Sequence, residues 1–193
     1  MSQQELLTHV VAILRELGIE FMLTGFHASS FQGEPRATHD VDFVVQLDAA
    51  AAEQLLAAFD ADRFYLSASA VHEALHSGGM FNLLDTTTGE KADFWMLKET
   101  PFDQSRFARR ERIQRDGQAI DLSSPEDTIL MKLLWSKQSG GSEKQFQDVL
   151  RVYELQADLL DLAYLQSWAS SLGVEESWRR VLDEAEPLIL PEN

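Results

Sequence analysis

Residues Thr24–Val45 read TGFHASSFQGEPRATHDVDFVV: a turn of small residues, then two aspartates separated by one valine at the start of an apolar strand. Side chains on a strand alternate between faces, so Asp40 and Asp42 point the same way while Val41 and Phe43 point into a core. Burying two carboxylates side by side is costly without a positive partner, and a hard divalent cation with oxygen ligands, Mg2+ or Mn2+, supplies one without sulfur or imidazole. A lone D-x-D is more often a strand-end cap or a solvated loop than a metal site. Two further features speak for a site. Asp93 stands in KADFWML among apolar neighbours that would bury an otherwise unmotivated charge. Upstream, Gly25 follows the short buried strand EFMLT, and Ala28, Ser29 and Ser30 form a turn whose backbone and hydroxyls suit a phosphate at a helix start, with Arg36 as an added charge.

Outward from this stretch, the chain alternates helices and strands. Leu6, Leu7, Val10, Val11, Leu14 and Leu17 recur at helical spacing before Gly18, which predicts a helix over 3–17. Strands are predicted at 20–24 and 41–47, with a brief helix at 27–32 between them. Asp48 caps a helix running to Phe59, and 67–76 is helical. MFNLLD and KADFWML form a hairpin around TTTGE, a helix covers 102–109, and RIQRDGQAIDL is a second hairpin with Asp116-Gly117 at its turn. From Ser124 the pattern is helical throughout, with segments at 125–138, 143–156, 159–171 and 174–185. The expected organisation is a mixed core over residues 1–122 and a C-terminal helical region over 123–193 packed on it.

The bulk numbers limit the partners. The 193 residues carry 32 acids against 16 basic residues, a formal charge of −16, which argues against a surface that tracks nucleic acid or anionic lipid as a whole. No apolar run is long enough for a membrane span, and the polar, acidic N-terminus is unlike a signal sequence, so a cytoplasmic protein is expected. The absence of cysteine closes disulfides, zinc thiolates and cysteine nucleophiles.

Taken together, these residues resemble the nucleotidyltransferase superfamily with the polymerase beta-like core. The family signature is a strand, a glycine with a small neighbour, a short helix, an acid-hydrophobic-acid triplet on the next strand and a third acid on a later one. Gly25, Asp40, Asp42 and Asp93 match it. The string T-G-x-x-A-S followed by G-x-P-R-A-T-x-D-x-D is similar to small bacterial members, and SPEDTILMKLLWSK followed by QDVLRVY is similar to the helical region of nucleotidyltransferase-like toxins of abortive-infection systems. The resemblance spans roughly residues 5–155. It implies an α+β fold, a mixed sheet flanked by helices, and metal-dependent transfer of a nucleoside monophosphate from a nucleoside triphosphate to a hydroxyl of RNA, protein or a small molecule. Asp40 and Asp42 would then hold the ion on the triphosphate and share a second with Asp93, while Gly25, Ser29, Ser30, Arg36 and Lys132 would meet the nucleotide. The family places serine or glycine directly after its glycine, whereas this chain has Phe26. That departure keeps open a second expectation, a catalytically weak or silent member that binds nucleotide or a protein partner, as in a toxin–antitoxin pair or a homodimer.

Three other features invite a function. His72 and His76 have a zinc-compatible spacing but lack a completing acid; His27 and His39 flank the proposed site. The run Arg106, Arg109, Arg110, Arg112 and Arg115 is the densest positive patch, suited to guiding an RNA acceptor or an acidic partner, or equally to a solvated edge.

Overall fold

The computed structural model describes residues 1–25, 40–115 and 117–186. They divide into two compact units, one ending at Ser123 and the other beginning at Ser124. The helix expected at 27–32, together with Phe26, His27, Ser29, Ser30, Arg36, His39 and Asp116, lies outside the described residues.

The first unit is built on seven strands: β1 (Glu20–Thr24), β2 (Asp40–Gln46), β3 (Phe64–Leu66), β4 (Met80–Asp85), β5 (Lys91–Met96), β6 (Glu111–Arg115) and β7 (Gln118–Leu122). They form one mixed sheet in the order β3-β4-β5-β2-β1-β7-β6. β2 runs parallel to β5 and β1 parallel to β7, while the other neighbours are antiparallel. Helices α1 (Gln3–Glu16), α2 (Ala49–Ala58), α3 (Ala68–Ser77) and α4 (Pro101–Ala108) belong to the same unit. Each begins at a side-chain cap: Ser2 in a reciprocal box with Glu5, then Asp48, Ser67 and Thr100. These caps satisfy backbone N–H groups that the first helical turn leaves without partners.

Strand alternation gives the central sheet two unlike faces. On one, Phe43 of β2, Phe94 of β5 and Phe81 of β4 sit side by side in register, with ring centroids 5.5 and 5.0 Å apart, and Phe21 meets Phe43 edge-on at 5.9 Å. Arg15 of α1 lies over the Phe21 ring, so α1 covers this face with Leu6, Leu7, Val10, Val11 and Leu14. The other face carries the acids at one end. At its opposite end Met22 and Val44 are closed over by Phe107 of α4.

The hairpin that presents β5 is stapled at its turn. Buried Asp85 accepts from the Thr87 N–H at 2.9 Å, the Thr87 hydroxyl at 2.6 Å and Arg63 at 3.0 Å. Burial alone would raise its pKa, but the two Thr87 hydrogen bonds and Arg63 hold the carboxyl well below the usual range.

The second unit contains α5 (Pro125–Gln138), α6 (Glu143–Gln156), a 3-10 turn (Ala157–Leu159), α7 (Leu162–Ser171) and α8 (Glu175–Glu184). Two buried acids at the start of α5 tie it to α7: the Tyr164 hydroxyl donates to Asp127 at 2.7 Å, and the Asp161 N–H donates to Glu126 at 2.9 Å. Element types follow the sequence pattern, with two differences. The three-residue edge strand β3 is too short to show a period of two. The helix expected from 159 starts at Leu162, because Asp161 caps it by accepting from the Tyr164 N–H and the preceding residues form the 3-10 turn.

Removing the middle ring of the phenylalanine row tests how far it holds the strands together. Phe94→Ala is expected to lower unfolding free energy by about 3–5 kcal/mol, the usual cost of emptying a fully buried aromatic site, as measured by denaturant titration.

Candidate active site

The site is laid out by the pairing of β2 with β5. Asp40 stands opposite Lys91 and Asp42 opposite Asp93, and these four residues share one face of the sheet. On the outer strands Thr24 stands beside Asp42 and Asn82 beside Asp93, on that same face. The three aspartates expected from the sequence are thus neighbours, and a lysine completes the block.

Lys91 extends its ammonium between two of the acids. Its Nζ lies 3.0 Å from an Asp93 carboxylate oxygen and 3.5 Å from one of Asp40. Partial burial works against the lysine's charge, but the hydrogen bond and charge of Asp93, followed by those of Asp40, hold its pKa above the ordinary value. Asp93 is 7% exposed, and its Oδ1 is buried with no hydrogen-bond partner. Among the described residues, no three His, Asp or Glu side chains stand ready-arranged as a metal cage.

Asp42 carries the largest electrostatic load. Its pKa is pushed up to about 6, first by burial and then by the Asp93 charge, with Asp40 adding to the rise. The Trp95 indole N–H donates to Asp42 Oδ1 across a long 3.5 Å, and this bond and Lys91 pull the other way. Gly25 closes the site on the β1 side. Its φ is +66°, a left-handed conformation, and a Cβ placed on it would fall 2.2 Å from Asp42 Oδ2. Only glycine permits both the backbone angle and the close pass over the carboxylate.

Other residues singled out in the sequence have partners within their own unit. Lys132 lies in the second unit, buried, donating to Asp148 at 2.8 Å and Gln145 at 3.2 Å. The arginine run is largely engaged within the first unit: Arg106 pairs with Asp103 at 2.8 Å, Arg110 with Glu20 at 3.1 Å and Arg112 with Asp121 at 2.7 Å. His72 meets Glu53 at 2.7 Å, and His76 meets the His72 carbonyl. Lys91 and Trp95 are the site residues that sequence reasoning missed. Their signal was present in the alternation of KADFW, which puts residues 91, 93 and 95 on one face.

The raised Asp42 has a signed consequence for stability. A carboxyl whose folded pKa lies above its unfolded value stabilises the fold while protonated, and that contribution is lost as pH rises from about 4 through about 6. The loss should be about 3 kcal/mol and should be absent in Asp42→Asn, with denaturation midpoints of the two proteins compared from pH 4 to pH 7. Gly25→Ala should destabilise by at least the roughly 1–2 kcal/mol of a left-handed L-residue and should displace the Asp42 carboxylate, which would be read as a changed Asp42 pKa.

Scans of the sequence against protein-family models and against curated proteins give no match. Solved structures do resemble it. The antibiotic-resistance factor ANT(2")-Ia, in complex with adenylyl-2"-tobramycin, superposes with a TM-score of 0.55 at 12% identity, over 95% of this chain and 98% of that one. An antigenic nucleotidyltransferase-like protein from Paracoccidioides brasiliensis gives 0.54 at 20% identity, over 88% and 91%. The lincosamide antibiotic adenylyltransferase LnuA, with lincomycin bound, gives 0.53 at 11% identity, over 77% and 95%. By these likenesses the chain has the nucleotidyltransferase fold.

Proposed function

We propose that the protein is a metal-dependent nucleotidyltransferase that moves a nucleoside monophosphate from a nucleoside triphosphate to a hydroxyl acceptor. The observation that carries this reading is the block of Asp40, Asp42 and Asp93 on one face of two paired strands, with the Gly25 backbone passing against Asp42.

The residues present suit a divalent ion. Three carboxylates offer hard oxygen donors, one buried Asp93 oxygen has no partner, and the Asp42–Asp93 repulsion is of the kind a cation relieves. Asp40, Asp42 and Asp93 would hold Mg2+ or Mn2+. Such an ion supplies charge stabilisation for the attacking and leaving oxygens of an in-line displacement at phosphorus. The chain's own residues set the stage for that chemistry. Gly25 keeps the Asp42 carboxylate open to the backbone side, and Trp95 steadies one of its oxygens. Asp93, the more deeply buried acid, would help activate the acceptor hydroxyl. Gly25 is the proposed nucleotide contact of the first unit, on the strength of the sequence resemblance and of its close pass against Asp42.

For the acceptor, a small hydroxyl-bearing molecule is favoured over RNA. The formal charge of −16 disfavours a polyanion, and the arginine run is largely engaged in internal ion pairs. The solved structures with antibiotic adducts or ligands act on small molecules, which points the same way.

Incubation with Mg2+, each labelled nucleoside triphosphate and a panel of hydroxyl compounds, RNA and cell extract should transfer label to a small-molecule fraction. Asp42→Ala should reduce transfer by roughly 100-fold or more, the scale seen when one group stabilising transition-state charge is removed. Chelation should abolish transfer, and Mg2+ or Mn2+ should restore it. Absence of transfer to every acceptor, with nucleotide binding unchanged in Asp42→Ala, would sink the enzymatic reading.

A further inference from the structure

The four charged residues on β2 and β5 form a two-by-two block in which three corners are carboxylates and the fourth is an ammonium. The parallel register makes this arrangement obligatory, since placing Asp42 beside Asp93 also places Lys91 beside Asp40. Lys91 Nζ then reaches across the block to Asp93 at 3.0 Å while remaining 3.5 Å from Asp40. A surface lysine with a flexible stem has many solvated positions available. This one is two-thirds covered and draws its charge toward the most buried acid of the cluster.

We infer that Lys91 is a tethered cation occupying the place of one metal ion, so that the nucleotide-free site admits a single divalent ion. The inference rests on the metal-dependent reading above and goes beyond it by fixing stoichiometry. Among the described residues, three carboxylates against one ammonium leave two formal negative charges, which one divalent ion neutralises. A second ion would have to displace the ammonium from Asp93 and Asp40 or share their oxygens with it, at close range to a like charge. Lys91 therefore sets the preference of the cluster: it draws Asp40 and Asp93 together, and leaves Asp42 and the Asp93 oxygen that has no hydrogen-bond partner for the incoming ion. Its role is positioning and charge substitution, without contact to the reacting atoms.

The test is Mn2+ binding to the full chain without nucleotide, followed by electron paramagnetic resonance and calorimetry. The wild-type protein should take up one equivalent. Lys91→Met should take up two, and Lys91→Arg, which keeps the charge, should return to one. Circular dichroism checks folding, and Lys91→Gln, which retains a polar end for Asp93, serves if the methionine variant does not fold. One equivalent with an affinity unchanged within about twofold in both neutral variants would overturn the inference and leave the metal-dependent reading standing. Two equivalents in the wild type would also overturn it. No Mn2+ bound by the wild type or by either neutral variant would overturn both.

Discussion

The repulsion between Asp42 and Asp93, held side by side by the parallel pairing of β2 and β5, is the constraint around which the first unit is organised. Two carboxylates do not take up such positions by their own preference. They are held there by what lies on the reverse of the same strands, where Phe43, Phe94 and Phe81 stack in one row beneath the apolar face of α1. A slip of one residue in register would turn the rings to the acid face and the acids into the core, so the hydrophobic row enforces the charged one. The energy that keeps the site under electrostatic load comes from packing on the other side of the sheet.

The same logic explains why the residues around the acids are so specific. Antiparallel pairing brings Thr24 beside Asp42, and the chain must then turn away over the carboxylate itself, a path that only glycine can follow. The Asp85 staple fixes the turn of the β4–β5 hairpin, and with it the height at which Asp93 meets Asp42. Site geometry thus depends on groups that never touch a reacting atom.

Much of this was legible in the sequence. The alternation in DVDFVV announced both the strand and the shared face of its acids, and the same rule applied to KADFWM gave Asp93. What was not legible was registration between segments fifty residues apart. Lys91 reads in isolation as a solvated strand end, and only pairing with β2 turns it into the counter-charge beside Asp40. The arginine run stayed open between two readings for a related reason. Arg110 pairs with Glu20, 90 residues away in the sequence, and composition cannot show which acid a positive charge meets. β3 escaped because three residues carry too little periodicity, although Arg63, just ahead of it, anchors the Asp85 turn.

Trp95 gives the site an optical property. The other three tryptophans, Trp135, Trp168 and Trp178, belong to the second unit, so a single indole of the first unit stands on the acid face with its N–H toward Asp42 and more than a third of its surface in solvent. Indole emission responds to nearby charge and to water. Any event that alters the charge on Asp42 or shields the ring therefore registers in the fluorescence of this one residue, and the site carries its own reporter without a label.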